Sequence, residues 1–515
     1  MKTSNNTTQK IGFFTALSML MGSVIGIGIF LKNGGIFAIN GFNGVGIITS
    51  WIIGGVIALT AAISFAEVGT SQKSRSGLAG WVEKFWGRKV GYFVKIIQPV
   101  FYMGLMIPIL SFFSAESIVK MFLPIDGSSI EIHYGIITLI TLLLIIFFLT
   151  INFFSLKIAG RFSFVTTILK FLPLIVIIIW GLVYSIQNHT GGLFDTSLNI
   201  PNTNPPIKPA PNPSFTAILA SLPSVLFAFD SFANVGNLSL DIKKPDRNVP
   251  LVISVGMISC AVFYLLVTIA QIFFAEGNSL NIFGNIVQLS PQLDIFISVS
   301  LNVFITISIL GVLNSFSSSS IRSFNSLIDE KLLFCHSQVN SFSSRFFPKF
   351  SSEVKPGFVL SSIVSIFWFL VLAIPSVAKG PNGTDVYVDG VSNYPTLFFF
   401  AIYGFVIFGG FINRFTKKVE IQKQKTFLFA APLAIIGSFV VFGYQLFYEI
   451  IFKSIEEANG QLAWGLFFSN DVIVYRWEGM IFFIVFLIIF ILIPIINFLL
   501  FSALNKGAKI NLSKE

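Results

Sequence analysis

The chain has 515 residues, of which 54% are hydrophobic and only 11% charged, and its mean hydropathy is +0.84. A soluble protein of this length cannot hide so much apolar surface, so most of its solvent must be lipid. The formal net charge of +10 then reflects basic cytoplasmic loops and not nucleic-acid binding, and the two cysteines, Cys260 in an apolar run and Cys335 in a polar loop, suggest no disulfide framework.

The polar stretch Met1 to Lys10 leads straight into an apolar segment too long for the core of a cleavable signal peptide. Runs of about 18 or more apolar residues with few charges predict twelve spans, at 11–38, 43–69, 90–120, 134–153, 160–186, 214–238, 249–275, 293–320, 357–378, 395–413, 427–449 and 477–504. The expected fold class is an all-α polytopic membrane protein. With Met1 inside, 26 of the 33 basic residues fall in inner segments, and six (Lys32, Lys120, Lys208, Lys379, Lys453 and Arg476) fall outside. That asymmetry predicts that both termini are cytoplasmic. Lys170 alone is left within a span.

Span 1 carries Gly22-Ser23-Val24-Ile25-Gly26-Ile27-Gly28-Ile29-Phe30 at its middle. Each glycine weakens the helix by roughly 1 kcal/mol relative to alanine, and lipid offers no partner to backbone groups freed by a break. Gly22 and Gly26 also form a G-x-x-x-G, which simple helix packing would explain. The functional reading is a discontinuous helix whose Gly26, Ile27 and Gly28 N–H groups face an anion at the start of the second half-helix.

The Pro- and Asn-rich segment from His189 to Ser214 divides the first ten spans into two groups of five. Span 6 is interrupted at Phe227-Ala228-Phe229-Asp230-Ser231-Phe232, and interruptions at corresponding positions of two halves point to an inverted-repeat transporter. The domains expected are a cytoplasmic tail (1–10), a first repeat (11–186), an extracellular loop (187–213), a second repeat (214–413), spans 11 and 12 (414–504) and a second tail (505–515).

Asp230 at mid-span costs about 2.5–3.5 kcal/mol on insertion scales. It either caps the broken helix as a neutral acid or faces a cationic group or a proton. Lys170 either snorkels to the interface or donates to carbonyls freed at the break of span 1 and to hydroxyls of the Ser315–Ser320 cluster in span 8. Glu67 and Glu116 sit at span ends, where a wetted carboxylate is the ordinary outcome. His133, His189 and His336 share no metal-ligand spacing. Neither a catalytic constellation nor a Walker motif is present.

The chain resembles the amino acid–polyamine–organocation (APC) superfamily of secondary transporters. The match rests on Gly22 to Phe30; on Asn152 to Arg161 followed by Lys170; on Phe227 to Phe232 followed by Asp241 to Pro250; and on Gly311 to Asp329 with Arg322. The resemblance implies a LeuT-type five-plus-five inverted repeat with two extra helices, working by alternating access. It implies that Gly26, Ile27 and Gly28 bind a substrate carboxylate, and that the carbonyls of Val24, Phe227 and Asp230 receive the ammonium. Phe227 would gate the site, Ala228 would line it, and Lys170 would stand in the place of a sodium ion as a candidate for proton coupling. Ser155 and Leu240 depart from the family pattern. Asp230 is similar to an aspartate of exchangers for cationic amino acids. The cysteine that links light to heavy subunits between spans 3 and 4 is missing, so no disulfide-linked heavy chain is expected.

The expectation is a plasma-membrane amino acid permease, not an enzyme, using symport or exchange with protons as the candidate coupling ion and needing no cofactor or metal. A polyamine or organic-cation transporter and a non-transporting amino acid sensor are the alternatives.

Overall fold

A computed structural model of the chain describes residues 12–26, 28–71, 77–122, 132–154, 156–188, 191–200, 208–233, 242–275, 291–347, 355–469 and 472–504. Among these, ten helices are long and apolar enough to cross a membrane, and the protein is an all-α, multi-pass membrane protein.

The two spans expected to be interrupted are the ones missing from those ten. Span 1 is a helix α1 (Phe13–Val24), a non-helical link at Ile25 and Gly26, a π-helical turn Gly28–Lys32 and a short helix α2 (Asn33–Ile39). Span 6 is represented by α9 (Phe215–Phe229), which stops at Asp230. The intervening elements are α3 (Gly44–Val68), α4 (Gly77–Trp86), α5 (Arg88–Ile97), α6 (Gly104–Lys120), α7 (Tyr134–Phe154) and α8 (Leu156–Asn188). After α9 come α10 (Pro245–Phe273), α11 (Pro291–Asp329), α12 (His336–Phe346), α13 (Lys355–Ala378), α14 (Val386–Thr416), α15 (Phe427–Gly443), α16 (Lys453–Glu456) and α17 (Arg476–Leu504). A two-stranded hairpin, β1 (Gln461–Leu462) with β2 (Val474–Tyr475), precedes α17.

Helices α5 and α6 run as one rod through a π-helical turn at Gln98–Met103. Pro99 has no N–H to give the preceding turn, which accounts for the widened turn. This rod is the central column: 94% of its most apolar window is buried, against 28% for α17 at the periphery. On peripheral helices the exposed side chains are apolar, such as Leu139, Leu143 and Phe147 on α7, as expected of a surface wetted by lipid tails.

Span limits shift where polar residues continue a helix out of the apolar core. Span 10 was expected to begin at 395 but α14 begins at Val386, so Asp389 belongs to a helix and not to a loop. Span 8 was expected to end at 320, but α11 continues to Asp329. Lys32, Lys120, Lys379, Lys453 and Arg476, all expected on one side, gather at the end of the bundle that carries the β1–β2 hairpin, here called the hairpin end.

Candidate functional site

The two interruptions meet. Tyr264, on α10, reaches both with one hydroxyl, which lies 3.1 Å from the Val24 carbonyl oxygen and 3.0 Å from that of Ala228. Gly28 packs directly on Ala228: a Cβ at position 28 would lie 2.5 Å from the Ala228 Cα, so only glycine fits. Gly22 is pressed against Thr167 of α8 in the same way. No backbone partner of the Gly26 N–H is found among the described residues. That leaves a donor at the break, next to the start of the second half-helix, where an anion is favoured. Ile27 lies outside the described residues, as do Ser155, Leu240 and Asp241.

Lys170 is fully buried on α8. Its ammonium donates to the Gly22 and Ile25 carbonyls, the latter at 2.8 Å, so it fills the carbonyls freed where α1 ends and does not reach the interface. Hydrogen bonds from a charged donor contribute roughly 1.5–3 kcal/mol each. The span 8 hydroxyl beside it is Ser308, 3.5 Å from the Ile25 oxygen, and not the expected Ser315–Ser320 cluster. Helical geometry turns that cluster elsewhere: Ser315 donates to Gly311 of its own helix, and Ser320 bonds Ser361 of α13.

Asp230 is buried at the C-terminal end of α9 and makes no ion pair among the described residues. Its Oδ2 accepts from Tyr102 Oη at 2.7 Å and Thr396 Oγ1 at 2.8 Å; its Oδ1 accepts from the Ser231 N–H at 2.7 Å and from Tyr403 Oη at 3.4 Å. Four donors match the acceptor capacity of an ionised carboxylate. These donors come from the π-helical turn of span 3, from α14 and from the break itself, so the acid ties spans 3, 6 and 10 to one point. Sequence reasoning missed Tyr102, Tyr264, Thr396 and Tyr403. A faint signal existed for Tyr102, because Pro99 interrupts an otherwise regular span and widened turns frequently accompany functional sites.

Three other expectations are corrected. Lys32 is buried, not loop-exposed: its ammonium is paired with Asp389 Oδ1, donates to Ser392 Oγ at 2.6 Å, and lies 5.3 Å from the centroid of the Phe227 ring. Glu67 is not wetted either; it forms a two-pronged pair with Arg414 (2.7 and 2.5 Å) and accepts from the Gln424 N–H at 2.6 Å. Glu116 is likewise fully buried. In each case a neighbouring helix covers a residue that lies at the end of its own span. Among the described residues no group of His, Cys, Asp or Glu could hold a metal ion; His133 and His336 bond to backbone near their own positions. Both Cys260 and Cys335 are free thiols.

The arrangement offers a backbone donor, two carbonyls sharing a single tyrosine donor, an acid and a lysine around one pair of helix breaks. Comparison with known proteins finds transporters. The chain is 25% identical over 447 residues to the serine/threonine exchanger SteT of Bacillus subtilis, covering 86% of this chain and 92% of that one. It is 22% identical to the human cystine/glutamate transporter over 59% of this chain and 58% of that protein. It is 24% identical to the mouse b(0,+)-type amino acid transporter 1, over 51% of this chain and 50% of the other. The profile of a family described as amino acid permease matches residues 11–490. The match spans both helix breaks, Lys170, nine of the ten long helices and the first half of the tenth, and the chain belongs to the amino acid permease family of the APC superfamily.

Proposed function

We propose that the protein carries amino acids across the plasma membrane by alternating access, with its termini in the cytoplasm and the hairpin end outside. In this reading spans 1–5 and 6–10 are inverted repeats, and spans 11 and 12 brace them. The substrate carboxylate binds the N–H groups of Gly26, Ile27 and Gly28. Its ammonium takes the carbonyls of Val24, Phe227 and Asp230, displacing the Tyr264 hydroxyl from Val24. The single observation that carries this is the meeting of the two breaks at Tyr264, whose one O–H serves two carbonyls. An ammonium that takes the Val24 carbonyl leaves the Tyr264 hydroxyl to Ala228 alone, so each carbonyl then has a donor of its own.

The finer reading is a preference for cationic amino acids and a proton as the coupling ion. Asp230 supplies the negative charge, Ala228 the wall and Phe227 the gate. The 3.4 Å bond from Tyr403 is the weakest of the four on Asp230, and a cationic side chain entering the site would replace it first. Lys170 holds the Gly22 and Ile25 carbonyls most strongly while protonated, because its bonds to them are then charge-assisted, so loss of its proton loosens the end of α1 and couples the break to pH. The relatives are a serine/threonine exchanger, a cystine/glutamate transporter and a b(0,+)-type amino acid transporter. The amino acid backbone is thus the shared recognition element, and Asp230 acts on what differs.

Counterflow in proteoliposomes tests the reading. Vesicles preloaded with unlabelled amino acid should accumulate label against its gradient, and a competitor with its carboxylate converted to an amide should fail to compete. Binding without accumulation, or undiminished competition by the amide, refutes it.

A further inference from the structure

The hairpin end holds a second group of buried ionisable side chains that substrate binding does not use. Glu116, near the end of α6, is fully buried; its Oε1 accepts from Tyr134 Oη at 2.6 Å, and its Oε2 is buried without a hydrogen-bond partner. Three charged residues face it from other elements: Lys32 from span 1, and Asp385 and Asp389 from the start of α14. Lys120, one turn further along α6, is in electrostatic reach of Glu116 and Asp385. From α7 it meets the neutral Tyr134; His133, just before that helix, is exposed and accepts from the Gly135 N–H at 3.1 Å.

Each neighbour has partners of its own. Asp385 Oδ2 accepts from the N–H groups of Leu466, Phe467 and Phe468 at 2.9, 2.7 and 3.0 Å. Asp389 pairs with Lys32 through one oxygen and accepts from the Gly465 N–H at 2.9 Å through the other. Lys120 lies 5.2 Å from the Phe468 ring centroid. Three acids stand against two cations. Asp385 Oδ1 is also buried without a hydrogen-bond partner, but three backbone N–H groups hold its other oxygen, whereas a single hydroxyl donates to Glu116. A carboxylate buried in that condition takes up a proton instead of remaining ionised.

We propose that Glu116 is a proton-binding site, loaded from the extracellular side, and that its protonation is the condition for closing the hairpin end. The proposal rests on the transport reading for what that closure accomplishes. Pairing of Lys32 with Asp389 pins the second half of span 1 to α14 and removes Glu116 from water. The closed form therefore holds one proton more than the open form, so closure is favoured as external pH falls and opposed as it rises. The proton enters and leaves on the same side, which separates this site from coupling through Lys170.

Infrared spectroscopy of the full-length protein in detergent, with Glu116→Gln and Tyr134→Phe, tests the site directly. The wild type should show a protonated-carboxyl C=O band at neutral pH that is lost in Glu116→Gln, where glutamine keeps the shape and still accepts from Tyr134. In Tyr134→Phe the band should persist and shift to higher frequency. In proteoliposomes, raising external pH should slow amino acid exchange by the wild type more than by Glu116→Gln. Retention of the band in Glu116→Gln, or equal dependence on external pH in both proteins, overturns the proposal. A wild type that exchanges no amino acid, while Glu116→Gln still loses the band, refutes the transport reading and leaves the proton site standing.

Discussion

Asp230→Asn separates recognition of the amino acid backbone from recognition of its side chain. The Ser231 N–H, 2.7 Å from Oδ1, holds an acceptor at that position, so the asparagine NH2 must replace Oδ2. There it faces Tyr102 and Thr396, at 2.7 and 2.8 Å in the native protein, and both hydroxyls must turn from donors to acceptors. Bonds that lose an ionic partner fall from roughly 1.5–3 to about 1 kcal/mol, a loosening that every substrate feels alike. A cationic substrate also loses its counter-charge, worth roughly 1.5–3 kcal/mol, or about 10- to 150-fold in affinity. Uptake of labelled arginine and leucine into proteoliposomes, with KM measured for each, should show the arginine-to-leucine ratio of KM rising by that factor. Equal losses for both amino acids would refute the assignment of Asp230 to a cationic side chain and leave it as the structural tie between spans 3, 6 and 10.

Lys170→Ala removes both bonds to the end of α1 and should leave an inserted protein whose uptake is lower and varies less with pH; unchanged pH-dependent uptake would exclude a coupling role. Gly28→Ala forces a Cβ to within 2.5 Å of Ala228, an overpacking that costs about 1–3 kcal/mol. Uptake should fall with little change in expression, and wild-type uptake would show that the breaks separate freely. Glu67→Gln leaves the Arg414 guanidinium without its carboxylate. Breaking a buried pair from one side costs about 3–5 kcal/mol, and Arg414 is slightly exposed, so the lower end applies; the melting temperature of purified protein should drop, and an unchanged value would show that the pair contributes nothing to stability.

Much of the architecture was legible in the chain because hydrophobicity over about 20 residues is a local quantity that a bilayer reads directly. Eleven of the twelve predicted apolar runs contain a described helix of at least 15 residues, and the remaining one, span 1, is divided where its glycines stand. The interruption at Phe227 to Phe232 was equally visible, since an aspartate in an apolar run is costly wherever it falls. Lys170 was visible for the same reason: one cation alone within a span is a local anomaly.

What only the tertiary structure decided is which groups answer these anomalies. Asp389 lies 357 residues from Lys32, and Arg414 lies 347 from Glu67. Pairings over such separations leave no periodic trace. Tyr102, Thr396 and Tyr403 looked like ordinary span residues until three helices converged on Asp230. Glu67 and Glu116 lie at the ends of their own spans and would be wetted there by themselves; neighbouring helices bury them. The amino acids alone determined the solvent, the helices and the two breaks, because those follow from local transfer energies. Packing determined the partners, because the satisfaction of a buried polar group depends on what the rest of the chain brings beside it.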